Sequence, residues 1–390
     1  MRKRKLLYLV KNTKIVYSLY FYIGSGILKF LKLFVKPNKK NILFVSFGGR
    51  SYSDSPKAIY ENMVEDARFS ECNLYWGLNG IQDIKSSRGK ILKIDTLRYF
   101  ITALRCGCWI TNSSVTRGLD FKPRRTFYLN TWHGTAIKKI EKDTNKGSVM
   151  FESKAKEGVD KMLVQSEYDL ETMKGAFGFS RNQFEIYGYP RNDALLSYSQ
   201  EDIAQIRFKL GIPERKRVIL YTPTFREYEL EGKECFFKMP LDFEQWRKEL
   251  GNDYVLLFRA HYEISKIVGL ESDGSIIDVS TYPELNDLMI ISDMLVSDYS
   301  SIFFDYSILH RPMLCFAYDY ETYEKKRGVY FDIRCELTNS NNTKELINTI
   351  KNINLENEKE KAVIFQKKYV TEYGSATQKC LNLLADYLGL

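Results

Sequence analysis

Only three histidines occur in the 390 residues, at 133, 261 and 310, and two of them sit where proton and phosphate chemistry could be done. His133 lies in YLNTWHGTAIKKI (128–140), directly after an apolar run and inside a Thr-Trp-His-Gly-Thr turn built by Thr131, Gly134 and Thr135. A loop imidazole in that setting, with Lys138 and Lys139 following, can deprotonate an alcohol while an anionic group is held nearby. The same residue also reads as a turn histidine satisfying local backbone groups, and the lysine pair as a solvated face. In VLLFRAHYE (255–263), Arg259 and His261 stand two apart at the end of an apolar run. They therefore share one face of a strand end, as two donors aimed at a diphosphate would. His310, in SILHRP, falls in a helix-to-strand connection and reads as a residue at a helix C-terminus, outside the chemistry.

A third concentration of polar side chains is Ser297-Asp298-Tyr299-Ser300-Ser301. An apolar run ends there and Ile302–Leu309 reads as a helix, so Ser300 and Ser301 serve either as a cap or as a phosphate cradle. Two weaker turns close other runs. GYPRNDAL (188–195) offers Arg191, Asn192 and Asp193, and YTPTFRE (221–227) offers Thr222, Thr224 and Arg226; both prolines also serve as turn formers. The patterns G-x-x-x-x-G-K-[ST] and G-x-G-x-x-G are absent, which leaves ATPase and dinucleotide readings without a motif. The seven cysteines are scattered, and Cys106 and Cys108 make only a C-x-C pair. They read as reduced thiols of a cytosolic compartment, with no zinc site and no disulfide framework.

Positioning these groups requires strands that end where the motifs begin. After Lys40 the chain alternates short apolar runs with amphipathic segments. Strands are expected at 41–47, 74–76, 90–94, 108–111, 126–129, 162–165 and 184–187, with helices at 97–105, at 170–177 and, carrying Pro56 in its first turn, after the turn at 51–55. A second series, RVILYTP, YVLLFRA, SIIDVS, DMLVS and PMLCFA, begins near Arg217. Strands alternating with helices imply parallel sheets covered on both faces, and two series imply two Rossmann-like domains with a hinge near 200–215, around Gly211-Ile-Pro213. Aromatic residues make up 14% of the chain, which fills such cores.

Charge separates one further segment. Residues 1–53 hold twelve Lys or Arg and no Asp or Glu, so the rest of the chain carries 46 basic against 49 acidic side chains. The net charge of +9 thus belongs to one arm. Its uncharged stretch, Ile15–Leu28, is shorter than the roughly 20 residues a spanning helix needs. No small-x-small cleavage site follows it, which argues against a signal peptide. An interfacial helix on an anionic membrane surface fits best, with an ordinary helix packed on the body as the alternative. Nucleic acid is not indicated, because the remaining chain is slightly acidic and no recognition motif occurs.

Taken as an ordered set, TWHGT, GYPRND, YTPTFR, the RAH step, SDYSSIFFDYSILHRP and KRGVYFD (326–332) resemble the CDP-glycerol glycerophosphotransferase family of teichoic acid enzymes over residues 41–385. The resemblance implies an α/β, GT-B-like chain with two Rossmann-like domains facing a central cleft. The expected division is a membrane-associating arm at 1–40, an acceptor domain at 41–205 and a CDP-donor domain at 206–390. It implies catalytic roles for His133 and His261, and donor contacts around Arg259, Ser297, Asp298, Ser300, Ser301, Arg327 and Gly328. His133 would act as general base on an acceptor hydroxyl that attacks the β-phosphorus of CDP-glycerol, releasing CMP. The acceptor would be an undecaprenyl-type lipid-linked glycerophosphate, at the cytoplasmic face of the cell membrane. Ala136 stands where the family usually has Pro, and Ser297 where it usually has Thr. No carboxylate cluster with metal spacing is visible, and a Mg2+ ion carried on the donor diphosphate stays open. CDP-ribitol as donor, a nucleotide-sugar glycosyltransferase and a non-catalytic membrane scaffold are the rival readings.

Overall fold

Strand and helix periods are kept well apart in this chain, and the structure, a computed structural model, follows them closely. It describes residues 13–80, 88–144, 158–224, 226, 230–231, 234–235, 239–260 and 273–390. Two compact units emerge: residues 1–133, 141–193 and 372–390 form the first, and residues 134–140 and 194–371 the second. The expected division at 205/206 therefore differs from these units. The break falls at 193/194, a short segment after His133 belongs to the second unit, and the last helix returns to the first.

The first unit is built on β1 (Asn38–Val45), β2 (Asn73–Leu78), β3 (Gly89–Lys93), β4 (Cys106–Thr111), β5 (Phe127–Asn130), β6 (Lys161–Val164) and β7 (Phe184–Ile186). All pair in parallel, in the order β3-β2-β1-β4-β5-β6-β7. Helices α1 (Lys14–Leu31), α2 (Asp54–Glu65), α3 (Leu97–Arg105) and α4 (Glu167–Phe177) accompany them. Every residue of β4 is buried, as expected for a central parallel strand covered on both faces. On one face, Phe44, Trp76 and Ile110 pack with Ile59, Tyr60 and Met63 of α2.

The described part of the arm packs on the first unit through one helix. Helix α1 buries Tyr17, Phe21, Ser25 and Leu28 against the first unit, while Ile15, Leu19, Tyr22, Ile23, Ile27 and Phe30 stay exposed. Two faces at helical spacing are thus both apolar, one used internally and one turned to solvent. No helix among the described residues is long and apolar enough to cross a membrane.

In the second unit β8 (Arg217–Thr222), β11 (Tyr254–Phe258), β12 (Ile276–Asp278), β13 (Met294–Ser297), β14 (Met313–Cys315) and β15 (Thr338–Asn339) form a parallel sheet in the order β12-β11-β8-β13-β14-β15. A two-stranded antiparallel ribbon, β9 (Leu230–Glu231) with β10 (Glu234–Cys235), stands apart from it. Helices α5 (Gln200–Lys209), α6 (Phe243–Leu250), α7 (Leu285–Ile291), α8 (Ile302–Ser307), α9 (Tyr320–Lys326), α10 (Thr343–Lys351) and α11 (Leu355–Tyr369) complete the unit. Trp246 and Leu250 of α6 and Leu346, Ile347 and Ile350 of α10 close the core over β8, β11 and β13.

The chain then re-enters the first unit as α12 (Ala376–Leu388), whose Cys380, Leu381, Leu384 and Leu388 join the core beside α2. Its first turn is capped from far away in sequence. The Asp193 carboxylate accepts the amides of Ala376 at 3.1 Å and Thr377 at 2.7 Å, satisfying two donors that a helix start otherwise leaves unpaired.

Candidate functional site

Both sheets share one topological consequence. The strand order reverses at β1/β4 in the first unit and at β8/β13 in the second, and connections leaving in opposite directions open a crevice at the carboxyl ends of those strands. The main polar motifs fall on these two points.

In the first unit, β4 runs out into Asn112 and Ser113, β1 into Ser46-Phe47-Gly48, and the neighbouring β5 into Thr131-Trp132-His133. The His133 imidazole is exposed, and its Nδ1 lies 2.8 Å from the Asn112 carbonyl oxygen. A carbonyl can only accept, so Nδ1 carries a proton, and in the neutral form of the ring the lone pair stands on Nε2. The bed is tightly tied: the Phe47 amide donates to Asn112 Oδ1 at 2.7 Å and the Gly48 amide to Ser113 Oγ at 2.9 Å. The Trp132 amide donates to Asn130 Oδ1 at 2.9 Å. Trp132 and Phe47 flank the imidazole, with ring centroids at 4.1 and 5.8 Å. Both adopt left-handed backbone, with φ of 51° and 46°. Bulky residues rarely do so, and such strain persists only where the surroundings over-determine it, commonly at functional sites.

Thr131 is buried and bonds within its own turn and to the Thr111 carbonyl, so it shapes the loop. Arg191 is engaged with Asp54, at 3.4 Å, and its amide faces Ser55 Oγ. Asn192 is buried, and Asp193 caps α12. The GYPRND turn thus braces two helix starts.

In the second unit, Ser297 Oγ donates to the Thr222 carbonyl at 2.6 Å and lies 3.1 Å from Thr222 Oγ1, joining the ends of β8 and β13. Asp298 Oδ1 accepts the amides of Thr224, at 2.9 Å, and Tyr299, at 2.7 Å. Beneath them Arg226, expected as a polar turn residue, is fully buried. It pairs with Asp298 at 2.9 Å and Asp319 at 2.8 Å and donates to the Thr224 carbonyl at 2.6 Å. The rings of Tyr299, Tyr318 and Tyr323 lie 5.0–5.2 Å from its guanidinium carbon. Burial works against the charge, but Asp298 and Asp319 outweigh it and hold the guanidinium well above its usual value. Arg226 is the keystone of the loop, and its neutralised charge is not offered to a ligand. Ser300 and Ser301 stay partly exposed at the end of that loop, with Ser300 Oγ weakly accepting the Ile302 amide.

Arg259 is the opposite case. One guanidinium nitrogen donates to the carbonyls of Val279 and Tyr282, at 3.1 and 2.7 Å, and among the described residues it pairs with no carboxylate. Burial pulls it below its usual value, and the charge of Glu284 offsets that only in part, so an incoming anion would relieve a desolvated charge. His261 lies outside the described residues.

The segment 134–140 belongs to this unit. Lys138 bridges to Val329, the Lys139 amide donates to the Gly328 carbonyl at 3.0 Å, and the Tyr330 amide to Ile137 at 2.8 Å. Gly134 (φ 139°) starts the segment, while Thr135 and Ala136 are buried in it. Gly328 has φ of 80°, a left-handed conformation that favours glycine, and a Cβ there would also push the Lys139 side chain aside. Arg327 follows α9 in the same strip. His310, just after α8, has φ of 52° and lies 3.4 Å from Gln366 Oε1, which keeps it structural.

Among the described residues no cluster of three His, Cys, Asp or Glu could hold a metal ion. Asp298 and Asp319 are engaged by Arg226.

Residues 27–385 match the family described as CDP-glycerol:poly(glycerophosphate) glycerophosphotransferase. The chain belongs to this family. This glycerophosphotransferase-family chain is 35% identical over 365 residues to the teichoic acid poly(glycerol phosphate) polymerase of Bacillus subtilis (strain 168), covering 88% of itself and 48% of that protein. It is 36% identical over 365 residues to the teichoic acid glycerol-phosphate transferase of Staphylococcus aureus (strain NCTC 8325 / PS 47), covering 88% of itself and 92% of the relative. It therefore spans about half the length of the first relative and nearly all of the second. A solved structure of the wall teichoic acid polymerase TagF is similar with a TM-score of 0.82 at 30% identity, over 93% of each chain. Two relatives named as ribitol-phosphate polymerases align over 46% and 52% of the chain, at 31% and 30% identity. The fold of the glycerophosphotransferase-family chain is thus the expected α/β, GT-B-like one, with two Rossmann-like units.

Sequence reasoning missed Asn112, Phe47 and Asp319. Asn112 carried the better signal, as the first of three small polar residues after a fully apolar strand. Its importance depends on β4 lying beside both β1 and β5, which spacing along the chain does not reveal.

Proposed function

We propose that this chain transfers glycerol phosphate from CDP-glycerol to a lipid-linked acceptor, releasing CMP, in synthesis of a teichoic acid or related surface polymer. The observation that carries the reading is the His133 imidazole, whose Nδ1 is held on the Asn112 carbonyl with the lone pair on Nε2. That is the tautomer a general base needs. Nε2 takes the proton of the acceptor's terminal hydroxyl as its oxygen attacks the β-phosphorus, and CMP departs in line. Arg259, with its desolvated charge, and the hydroxyls of Ser300 and Ser301 offset charge on the donor diphosphate. Asp298, Ser297, Thr222, Thr224 and Arg226 hold that loop in shape. His261 is the second donor to the phosphates, Arg327 and Gly328 close on the donor from the α9 side, and Lys138 and Lys139 attract the anionic acceptor.

Glycerol is favoured over ribitol because the relatives named for glycerol phosphate align over 88% of the chain and those named for ribitol phosphate over about half. The exposed apolar face of α1, flanked by Lys29 and Lys32, supports peripheral attachment to an anionic membrane surface, on the cytoplasmic side where nucleotide donors are made.

The test is CMP release from CDP-glycerol and from CDP-ribitol with a lipid-linked glycerophosphate-primed acceptor. Wild type should release acceptor-dependent CMP from CDP-glycerol, and His133→Ala should lower kcat by about 10²–10⁴-fold, the range of a general base. A His133→Ala enzyme retaining a third of the wild-type rate would remove His133 from the chemistry. Release from CDP-ribitol alone would reassign the donor.

A further inference from the structure

Helix α1 does more than offer a face to solvent. Its buried side follows the loop after β4 for about three turns, from Tyr17 to Lys29. The Tyr20 hydroxyl donates to the Arg117 carbonyl at 3.0 Å, and the Tyr17 hydroxyl lies 3.4 Å from the Gly118 carbonyl. A Cβ on Gly24 would meet Leu119 at 2.9 Å. Ser25 Oγ accepts the Asp120 amide at 2.9 Å, and Lys29 pairs with Asp120 at 2.5 Å. Contacts at 17, 20, 24, 25 and 29 follow the helical repeat, so the helix holds this loop along its length.

What the loop carries is Arg117. Its backbone is left-handed, with φ of 58°, a conformation that strains an L-residue. Its side chain turns toward the β1 loop. Nε lies 2.9 Å from Asp95 Oδ1, and Nη1 donates to the Gly48 carbonyl at 3.2 Å. A Cβ on Gly48 would come within 2.8 Å of that nitrogen. Burial opposes the Arg117 charge, but the hydrogen bond and charge of Asp95 prevail and hold the guanidinium above its usual value. Gly48 and Phe47 in turn bind Ser113 and Asn112, and Asn112 holds the His133 imidazole.

We propose that Arg117 is a positioning residue for His133, and that α1, through Tyr20, holds Arg117 in its strained conformation, making the interfacial helix a structural part of the acceptor-side catalytic bed. This rests on the reading of His133 as general base. Every link from Tyr20 to the imidazole is a hydrogen bond or a peptide bond within one unit: Tyr20 to Arg117, Arg117 to Gly48, Gly48 to its neighbour Phe47, Phe47 to Asn112, Asn112 to His133. Burial pushes the Tyr20 hydroxyl up to about 12, so it remains a donor at any working pH. A helix that merely anchored the protein would need none of these bonds.

The experiment compares wild type with Tyr20→Phe, Arg117→Gln and, as a control ion pair elsewhere, Arg247→Gln. CMP release is measured in detergent micelles, so that membrane attachment does not limit the rate, alongside hydrogen–deuterium exchange of the full chain. Arg117→Gln should lower kcat about tenfold and Tyr20→Phe about threefold, with KM for CDP-glycerol within twofold of wild type. Both should speed exchange of the amides at 47–48. Arg247→Gln, which loses a 2.6 Å contact to Asp273, should leave all three readouts within twofold. Unchanged kcat and unchanged exchange in both test variants would overturn the proposal, as would an equal effect from the control. Should wild type release no CMP, the transferase reading fails, and exchange at 47–48 still decides the coupling between helix and loop.

Discussion

Arg226→Met tests whether the donor-side loop stands on a buried charge cluster. The substitution keeps much of the side-chain volume but removes the cation between Asp298 and Asp319, whose side chains are 3% and 17% exposed. Breaking a buried pair from one side costs about 3–5 kcal/mol, because a charge is left desolvated without its partner. Loss of the guanidinium against three tyrosine rings adds about 0.5–2 kcal/mol. For a unit of this size, 1 kcal/mol moves Tm by about 2–4 °C, so thermal unfolding of the second unit should begin about 10 °C earlier. The Asp298 carboxylate that gathers the Thr224 and Tyr299 amides would then be misplaced, and KM for CDP-glycerol should rise at least tenfold. Asp298→Asn and Asp319→Asn placed on top of Arg226→Met should recover part of the Tm, since they remove the orphaned charges, and the non-additivity measures the coupling. A Tm shift below about 3 °C would refute the reasoning, by showing that these carboxylates are solvated and the arginine dispensable.

Other outcomes follow from separate features. Ile23→Glu with Ile27→Glu, on the exposed face of α1, should lower flotation with vesicles containing anionic lipid at least fivefold, because two charges replace apolar contacts at the headgroup boundary. Iodoacetamide at pH 8 should label the exposed Cys335 in the native protein and spare Cys106, Cys108, Cys315 and Cys380. Burial holds those four thiols above their ordinary value, and peptide mapping reads the result. The Asp332 carboxyl is held below its ordinary value by the Arg334 hydrogen bond. A depressed folded value means its stabilisation is complete above the unfolded carboxyl range, near pH 4, and is lost as pH falls through the folded value. Asp332→Asn should therefore flatten the acid limb of a Tm-against-pH curve below about pH 4 and leave the slope between pH 6 and 8 unchanged.

Much of the fold was legible because its strands are buried on both faces. Runs such as CGCWIT and RVILYT are apolar without alternation, and only a covered parallel strand tolerates that. The inner strands of both sheets fall on such runs, whereas the edge strands β3, β7 and β12 carry a charged or exposed residue among their apolar ones and β15 carries no apolar residue. The candidate site was legible in its residues and less so in its partners. His133 could be singled out from the turn around it, but Asn112 reaches it only across the β4–β5 pairing. Arg226 shows why turn composition is a weak guide. An arginine between Phe and Glu in a turn looks solvent-facing, and here two aspartates far along the chain draw it fully inside. Arg191 and Asp193 are ambiguous in the sequence likewise, because capping a helix and binding a ligand ask for the same side chains.

The return of α12 to the first unit has a consequence for how the protein is made. The helix supplies Cys380, Leu381, Leu384 and Leu388 to a core otherwise drawn from residues upstream of 194, and Asp193 waits for the amides of Ala376 and Thr377. On the ribosome, the first unit therefore emerges with one side of its core uncovered and stays so while residues 194–371 are synthesised. The second unit, apart from the short strip at 134–140, is drawn from one continuous stretch and can close first. Translation order and folding order run in opposite directions, and the half of the molecule bearing His133 is completed only when the last helix arrives.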